Sequence, residues 1–231
     1  MSYTQAEHRF AGLHQNGAND VLQSFFKARG HYLLYGTFPY LWPSITTSSQ
    51  TAIPVITIVI PNSSNPLVTV NIAFKIKFTI PTVDINPDTP LNPTIPFTPL
   101  KPPQSGMAGE FRFKTTAHLQ NLLVLINLQP IPIPPLPQIP VFGLCEPVAT
   151  NSSGIEAIGI TVKQVDVGIP LPPPLAWLGG ILNQIMLIVF QNIFSKIQIP
   201  LTLLTAGLFD ISLQVGPLAE KDQFEVRGTA P

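Results

Sequence analysis

Charge is scarce in this chain. Lys and Arg number 12, Asp and Glu number 12, and together they supply only 10% of the 231 residues. Residues 30–74, 115–145 and 167–195 contain none of the four. A surface so poor in charge, with zero net charge over the whole chain, does not steer polyanions, so nucleic-acid binding is not expected. Cysteine is nearly absent as well. Cys145 stands alone, which excludes an intrachain disulfide and a cysteine-cluster metal site, and a lone thiol fits a reducing compartment. The first 17 residues, MSYTQAEHRFAGLHQNG, lack the basic start and apolar core of a classical signal peptide. With Met1 as the natural start, synthesis in the cytoplasm is expected, with unconventional export as the route outward. The sequons at Asn62 and Asn151 then carry no meaning.

Catalytic patterns are missing too. The sequence contains no G-x-S-x-G, no glycine-rich phosphate loop, no H-E-x-x-H and no Cys-His pair at metal spacing. His8, His14, His31 and His118 are scattered, which suits ordinary surface or hydrogen-bonding roles. Asp84, Asn86 and Asp88 match the first half of a calcium loop, but Thr89 replaces its glycine and Ile95 stands where the bidentate glutamate belongs. A proline-rich turn solvated by carboxylates is the better reading. The expectation is a protein that is not an enzyme, with no cofactor and no metal.

What the chain has is apolar periodicity. In residues 175–199, LAWLGGILNQIMLIVFQNIFSKIQI, Leu182, Ile185, Met186, Val189, Phe190 and Ile193 recur on one helix face. Leu187 and Ile188 interrupt the face that should be polar. A helix apolar nearly all round must be enclosed. A membrane span fits poorly, because Asn183, Gln184, Gln191 and Asn192 would lie in hydrocarbon and no basic cluster flanks the segment. One helix over 175–198 is therefore expected, with Ile185, Val189 and Ile193 facing a sheet. A second helix is predicted over 5–29, most securely after Asn16, where Ala18, Val21, Leu22, Phe25 and Phe26 form a stripe and Gly30 offers a stop. The aromatic stretch with Tyr32, Tyr35, Phe38, Tyr40 and Trp42 is expected to cap one end of the core.

The strand signals are long. In residues 67–80, LVTVNIAFKIKFTI, Val68, Val70, Ile72, Phe74, Ile76, Phe78 and Ile80 alternate with polar or small residues, as in a strand with one buried face. At about 46 Å, this strand would match the roughly 37 Å of the apolar helix. Alternation returns in Ile56, Ile58 and Ile60, in Phe111 and Phe113, and in Ile158, Ile160 and Val162, where a phase switch near Gln164 to Val165 and Val167 predicts a bulge. At the C-terminus, Phe209, Ile211, Leu213 and Val215 predict a strand over 207–215, with a turn at GPLAEKD before QFEVRG. The 27 prolines crowd between these segments, where extended X-Pro steps suit edges and crossings. QPIPIPPLPQIP lacks the flanking basic residues of a polyproline docking motif.

The order of an N-terminal helix, long strands, G-I-P-L-P at 168–172, an apolar helix, I-P-L at 199–201 and terminal strands resembles the tubular lipid-binding (TULIP) superfamily, which includes bacterial members found in toxin gene clusters. The resemblance covers the whole chain in element order and is specific over about the last 65 residues. It implies an α+β fold in a single domain over 1–231. A long, strongly curved antiparallel sheet would wrap around a long apolar C-terminal helix, beside an N-terminal helix. It also implies binding or transport of a lipid or other hydrophobic ligand in an apolar tube. Phe74, Ile76, Phe78, Met186, Phe190 and Phe209 are the candidate ligand-binding residues, lining a cavity between the helix and strands 68–80 and 207–215. The alternative is a structural or toxin-complex component whose apolar surfaces meet a protein partner or a membrane surface. The chain departs from extracellular members in lacking a signal peptide and a cysteine pair.

Overall fold

A computed structural model of the chain describes residues 9–37, 56–60, 68–85, 96–97, 99–104, 108–131, 138–152, 155–168, 177–204, 212–220 and 223–229. The class is α+β with a strongly curved antiparallel sheet. In chain order the elements are β1 (Arg9–His14), α1 (Gln15–Ala28), a 3-10 turn (Gly30–Leu33), β2 (Leu34–Gly36), β3 (Ile56–Ile60), β4 (Val68–Phe78), β5 (Thr82–Asp84), β6 (Phe111–Ile126) and β7 (Gln129–Ile131). They continue with β8 (Ile139–Ser152), β9 (Ile155–Val167), α2 (Trp177–Phe194), β10 (Ile199–Pro200), α3 (Leu201–Leu204), β11 (Ser212–Glu220) and β12 (Gln223–Thr229). The chain divides into two compact units. The first comprises Met1–Phe25, Pro81–Lys114 and Val141–Pro231, and the second comprises Phe26–Ile80 and Thr115–Pro140.

In the first unit, β12 pairs antiparallel with both β1 and β11. The helix expected over 5–29 is thereby corrected at its start: Arg9–His14 is a strand, paired from Arg9↔Gly228 to His14↔Gln223. Ladder bonds to β12 outweigh the weak helical preference of a six-residue stretch carrying Gly12. The helix proper begins at Gln15, where the amide of Asn16 donates to His14 Nδ1 at 3.2 Å, satisfying one orphan N–H of the first turn. Ala18, Leu22 and Phe26 are each no more than 2% exposed, so the predicted stripe is the buried one. Asn19 bonds both backbone groups of Val83, at 3.1 and 2.7 Å, and Gln15 accepts from the Ile85 amide at 2.7 Å. Amide side chains of α1 thus stand in for a neighbouring strand along β5.

The apolar helix is shorter than predicted. The end predicted at 198 is corrected to Phe194, so that the helix is described over 18 residues, Trp177–Phe194, about 27 Å long, residues 175–176 lying outside the described ones, and the strand predicted over 67–80 is β4 with 11 residues, about 36 Å. Both elements are shorter than expected, and the strand still exceeds the helix by about 9 Å. The last turn tightens, with Lys196 N donating to Ile193 O at 3.2 Å and Ile197 N to Phe194 O at 3.0 Å. Pro200 then holds Ile199 extended, and Ile199 pairs with Ile158 of β9. Among the described residues no helix is long and apolar enough to cross a membrane.

The C-terminal strand runs further than the predicted end at 215. Residues 205–211 lie outside the described residues, and β11 runs on through GPLAE to Glu220, with register shifts after Leu213 and Val215. The turn predicted at GPLAEKD is therefore mostly strand. Irregular pairing accommodates Pro217, which has no N–H to give a ladder. The bulge predicted near Gln164 is present. Leu144 pairs with Gln164 and Cys145 with Val162, leaving Lys163 as the extra residue of β9.

In the second unit, β4 pairs with β2 and β3 along one edge and with β6 along the other. Val70, Ile72, Phe74, Ile76 and Phe78 are all 3% exposed or less, as the alternation requires. The ring of Tyr35 meets Phe78 edge-on at 6.0 Å, and Thr37 closes the end of β2 by accepting from Phe74 N at 2.7 Å and donating its own amide to Phe74 O at 2.9 Å. Of the aromatic cap, Phe38, Tyr40 and Trp42 lie outside the described residues.

Two glycines test the packing from opposite directions. A Cβ on Gly143 of β8 would overlap the ring of Phe113, whereas one on Gly180 of α2 would meet nothing within 4 Å. Gly143→Ala should lower stability by about 1–3 kcal/mol through overpacking. Gly180→Ala should raise it by about 0.5–1 kcal/mol. Urea unfolding of the two variants checks both signs.

Candidate functional site

Helix α2 lies against β9 and uses two kinds of contact. Its apolar stripe, Ile185, Met186, Val189, Phe190, Ile193 and Phe194, is buried, none of the six more than 6% exposed. Phe113 of β6 stands 4.7 Å from the Phe190 ring and 4.9 Å from the Phe194 ring, in tilted contacts. On the neighbouring turns, Asn183 Oδ1 accepts from the Val167 amide at 2.9 Å and Gln191 Nε2 donates to Val162 O at 3.3 Å. Two of the four polar residues that argued against a bilayer span thus serve backbone groups of β9. Coverage of α2 is incomplete. Ile181, Leu182 and Leu187 are half-buried and Ile188 is 64% exposed.

The predicted ligand-binding residues fall in three places. Met186 and Phe190 belong to the first unit, where they are 5% and 0% exposed. Phe74, Ile76 and Phe78 form the buried face of β4 in the second unit. Phe209 lies outside the described residues.

A charged cluster that no local sequence signal announces sits in the first unit. Glu110, just before β6, is 7% exposed. Its Oε1 stands 3.3 Å from Lys163 Nζ and 3.8 Å from Lys101 Nζ, and its Oε2 accepts from the Lys101 amide at 3.1 Å. Lys163 also reaches Glu146 Oε2 at 3.2 Å. The bulge of β9 gives Lys163 this reach, since the extra residue is re-aimed out of the ladder. Burial lowers the affinity of Lys163 for its proton, but hydrogen bonds and charge from Glu146 and Glu110 outweigh it and the ammonium is held above its usual range. Two lysines and two glutamates balance, so the cluster ties the segments around Lys101 and Glu110 to β8 and β9 and offers no excess charge to a ligand.

Arg112, two residues on along β6, is 3% exposed. Its Nε donates to Asp84 Oδ2 at 2.7 Å, and Nη2 stands 2.6 Å from the same oxygen. Two nitrogens converging on one oxygen cannot both align, so Nη2 forms an ionic contact without hydrogen-bond geometry, and Nη1 has no hydrogen-bond partner. Asp84, first residue of the half calcium loop, is thereby committed to Arg112, while Asn86 and Asp88 lie outside the described residues. Among the described residues no three His, Cys, Asp or Glu side chains are grouped to hold a metal. Cys145 is wholly buried in β8, and burial pushes its thiol well up, which leaves it protonated and unreactive. Burial, and then the nearby Tyr32, push the Tyr35 hydroxyl up as well.

No family model matches the chain, and no curated protein matches it.

Two outcomes follow from the charged groups. Asp84→Ala strands a buried guanidinium and should cost about 3 kcal/mol or more, whereas Arg112→Met removes the charge that needs a partner and should cost much less; chemical denaturation of both variants decides the order. The raised Lys163 contributes stability that is complete below the ordinary lysine value of about 10.4 and is lost as pH rises through its folded value. Tyr35 and Cys145, also raised, act in the same direction. Lys163→Met should therefore shrink, without abolishing, the fall of the urea midpoint in the alkaline range.

Proposed function

We propose that the protein binds a lipid or another hydrophobic ligand along helix α2 without catalysing a reaction. One observation carries the reading: α2 buries a full apolar stripe yet leaves Leu187 half-buried and Ile188 64% exposed, in a segment with no charged residue between 167 and 195. Water-exposed apolar surface on a core helix is costly unless something covers it. Leu187 lies one turn from Phe190 at the edge of the buried stripe, so Phe190 and Met186 are the residues a ligand covering that edge would reach, with Ile188 on the far side of the helix; binding would be driven by apolar burial with little directional polar recognition. A tubular arrangement in the TULIP manner, with a curved sheet rolled around the helix, belongs to the same reading, and so does a bacterial, toxin-associated setting. The second reading is a structural component that meets a membrane or a protein partner through apolar surface. It is favoured by Leu128 and Val59, which are 78% and 52% exposed.

Organic extraction of protein purified without detergent, followed by mass spectrometry, should recover a stoichiometric apolar compound. Met186→Trp should then block a fatty-acid or phospholipid probe while the protein stays folded. No extracted compound, together with a loss of roughly 1–3 kcal/mol of stability in Met186→Trp, would replace the ligand site with a packed core.

A further inference from the structure

The zero net charge of the whole chain hides a partition. The second unit, residues 26–80 and 115–140, contains Lys27, Arg29, Lys75 and Lys77 and no Asp or Glu. The other eight basic residues and all twelve acidic ones belong to the first unit, which leaves the units at +4 and −4. Along β4 of the second unit, Val70, Ile72, Phe74, Ile76 and Phe78 are buried, and the alternate residues Thr69, Asn71, Ala73, Lys75 and Lys77 share the opposite face, on which Ala73 is also buried, Thr69, Asn71 and Lys75 are half-buried and Lys77 is exposed. Across the ladder, Asn71 faces Leu125, Ala73 faces Leu123 and Lys77 faces His118, and on the other edge Val59 faces Thr69.

One end of this face carries a second anomaly. Asn127 and Leu128 form the two-residue loop between Ile126 and Gln129, and both have positive φ, 48° and 66°. A two-residue hairpin of this kind favours Asn-Gly, and a leucine in the left-handed region is strained. Leu128 is nevertheless 78% exposed. Thr69 donates its amide to Asn127 Oδ1 at 3.0 Å and accepts from Asn127 N at 2.8 Å, so the Leu128 tip and the 52% exposed Val59 flank the same residue of β4. An apolar residue held in water on a strained backbone is an outlier of the sort that marks function.

We infer that the second unit docks on an anionic lipid bilayer, with Leu128 and Val59 entering the interface and Lys75 and Lys77, up to roughly 26 Å further along β4, meeting the headgroups. An exposed apolar tip on a unit whose sequence has four basic residues and no carboxylate matches a surface of negative potential over hydrocarbon. A nucleic acid would use the lysines but not an aliphatic tip. The inference rests on the second reading above, whose apolar residues it uses, and is independent of whether α2 holds a ligand, because none of these residues lies on α2.

The test is co-flotation of the full chain with vesicles of phosphatidylcholine alone and of equal parts phosphatidylcholine and phosphatidylserine. Binding to the phosphatidylserine vesicles alone is expected. It should weaken roughly tenfold or more in Lys75→Glu/Lys77→Glu and stay unchanged in Lys196→Glu, an exposed lysine of the first unit. Leu128→Gly separates docking from folding: glycine relieves the positive φ and should raise the melting temperature, yet binding should fall roughly tenfold through the lost apolar contact. Failure to bind either vesicle, equal binding to both, or a more stable Leu128→Gly that binds undiminished would overturn the inference. So would an equal loss in Lys196→Glu, or displacement from the vesicles by polyuridylate that Leu128→Gly leaves unaffected, which would assign the lysines to a nucleic acid.

Discussion

The first unit depends on the place where the ring of Phe113 covers Gly143. Phe113 projects from β6 onto the bare backbone of β8, and Phe190 and Phe194 of α2 close on the same ring. On the same face of β6, Phe111 meets Phe224 of β12 in an edge-to-face contact at 4.8 Å. One strand thereby gathers a helix and both sets of strands through two aromatic residues. Interiors close-packed in this way tolerate little change of volume, and the absence of a side chain at residue 143 is as much a part of the fit as the rings.

The reverse face of β6 follows from the same alternation. Arg112, between the two phenylalanines, must point the other way and is buried in an ion pair with Asp84, while Glu110, just before the strand, is buried in ion pairs with Lys163 and Lys101. Buried pairs contribute little net stability but are costly to break. Their effect is to fix which segments lie on that face. The bulge at Lys163 links the two sides, since it carries the lysine to Glu110 and Glu146 and restores the apolar phase at Val165, which is 3% exposed.

Legibility in the sequence followed the range of the interactions. Period-two alternation in β4, the stripe of α1 after Asn16 and the phase switch in β9 are local, and each was readable from neighbouring residues alone. Strand β1 was not, because partnership with β12, more than 200 residues away, overrode a stretch with helical signals. The end of α2 was overrun because Ile197 and Ile199 continue the apolar content after the backbone has turned toward β10. The Glu110, Glu146 and Lys163 cluster draws on three separated segments with no spacing motif. Leu128 was hidden for a different reason: turn chemistry predicts glycine or asparagine at positive φ, so leucine there sends no turn signal. Of the six predicted ligand residues, Phe74, Ile76, Phe78, Met186 and Phe190 are buried as their periodicity implied, but periodicity does not distinguish a packed wall from a hollow one.

That distinction bears on the central claim, that α2 borders space for an apolar ligand. It is tested most directly by a crystal structure of the ligand-stripped protein under xenon pressure, because xenon occupies dry apolar cavities and is excluded from close-packed cores. Ordered xenon beside Met186 or Phe190 is the result the account predicts. Continuous van der Waals contact around both side chains with no xenon density would contradict it.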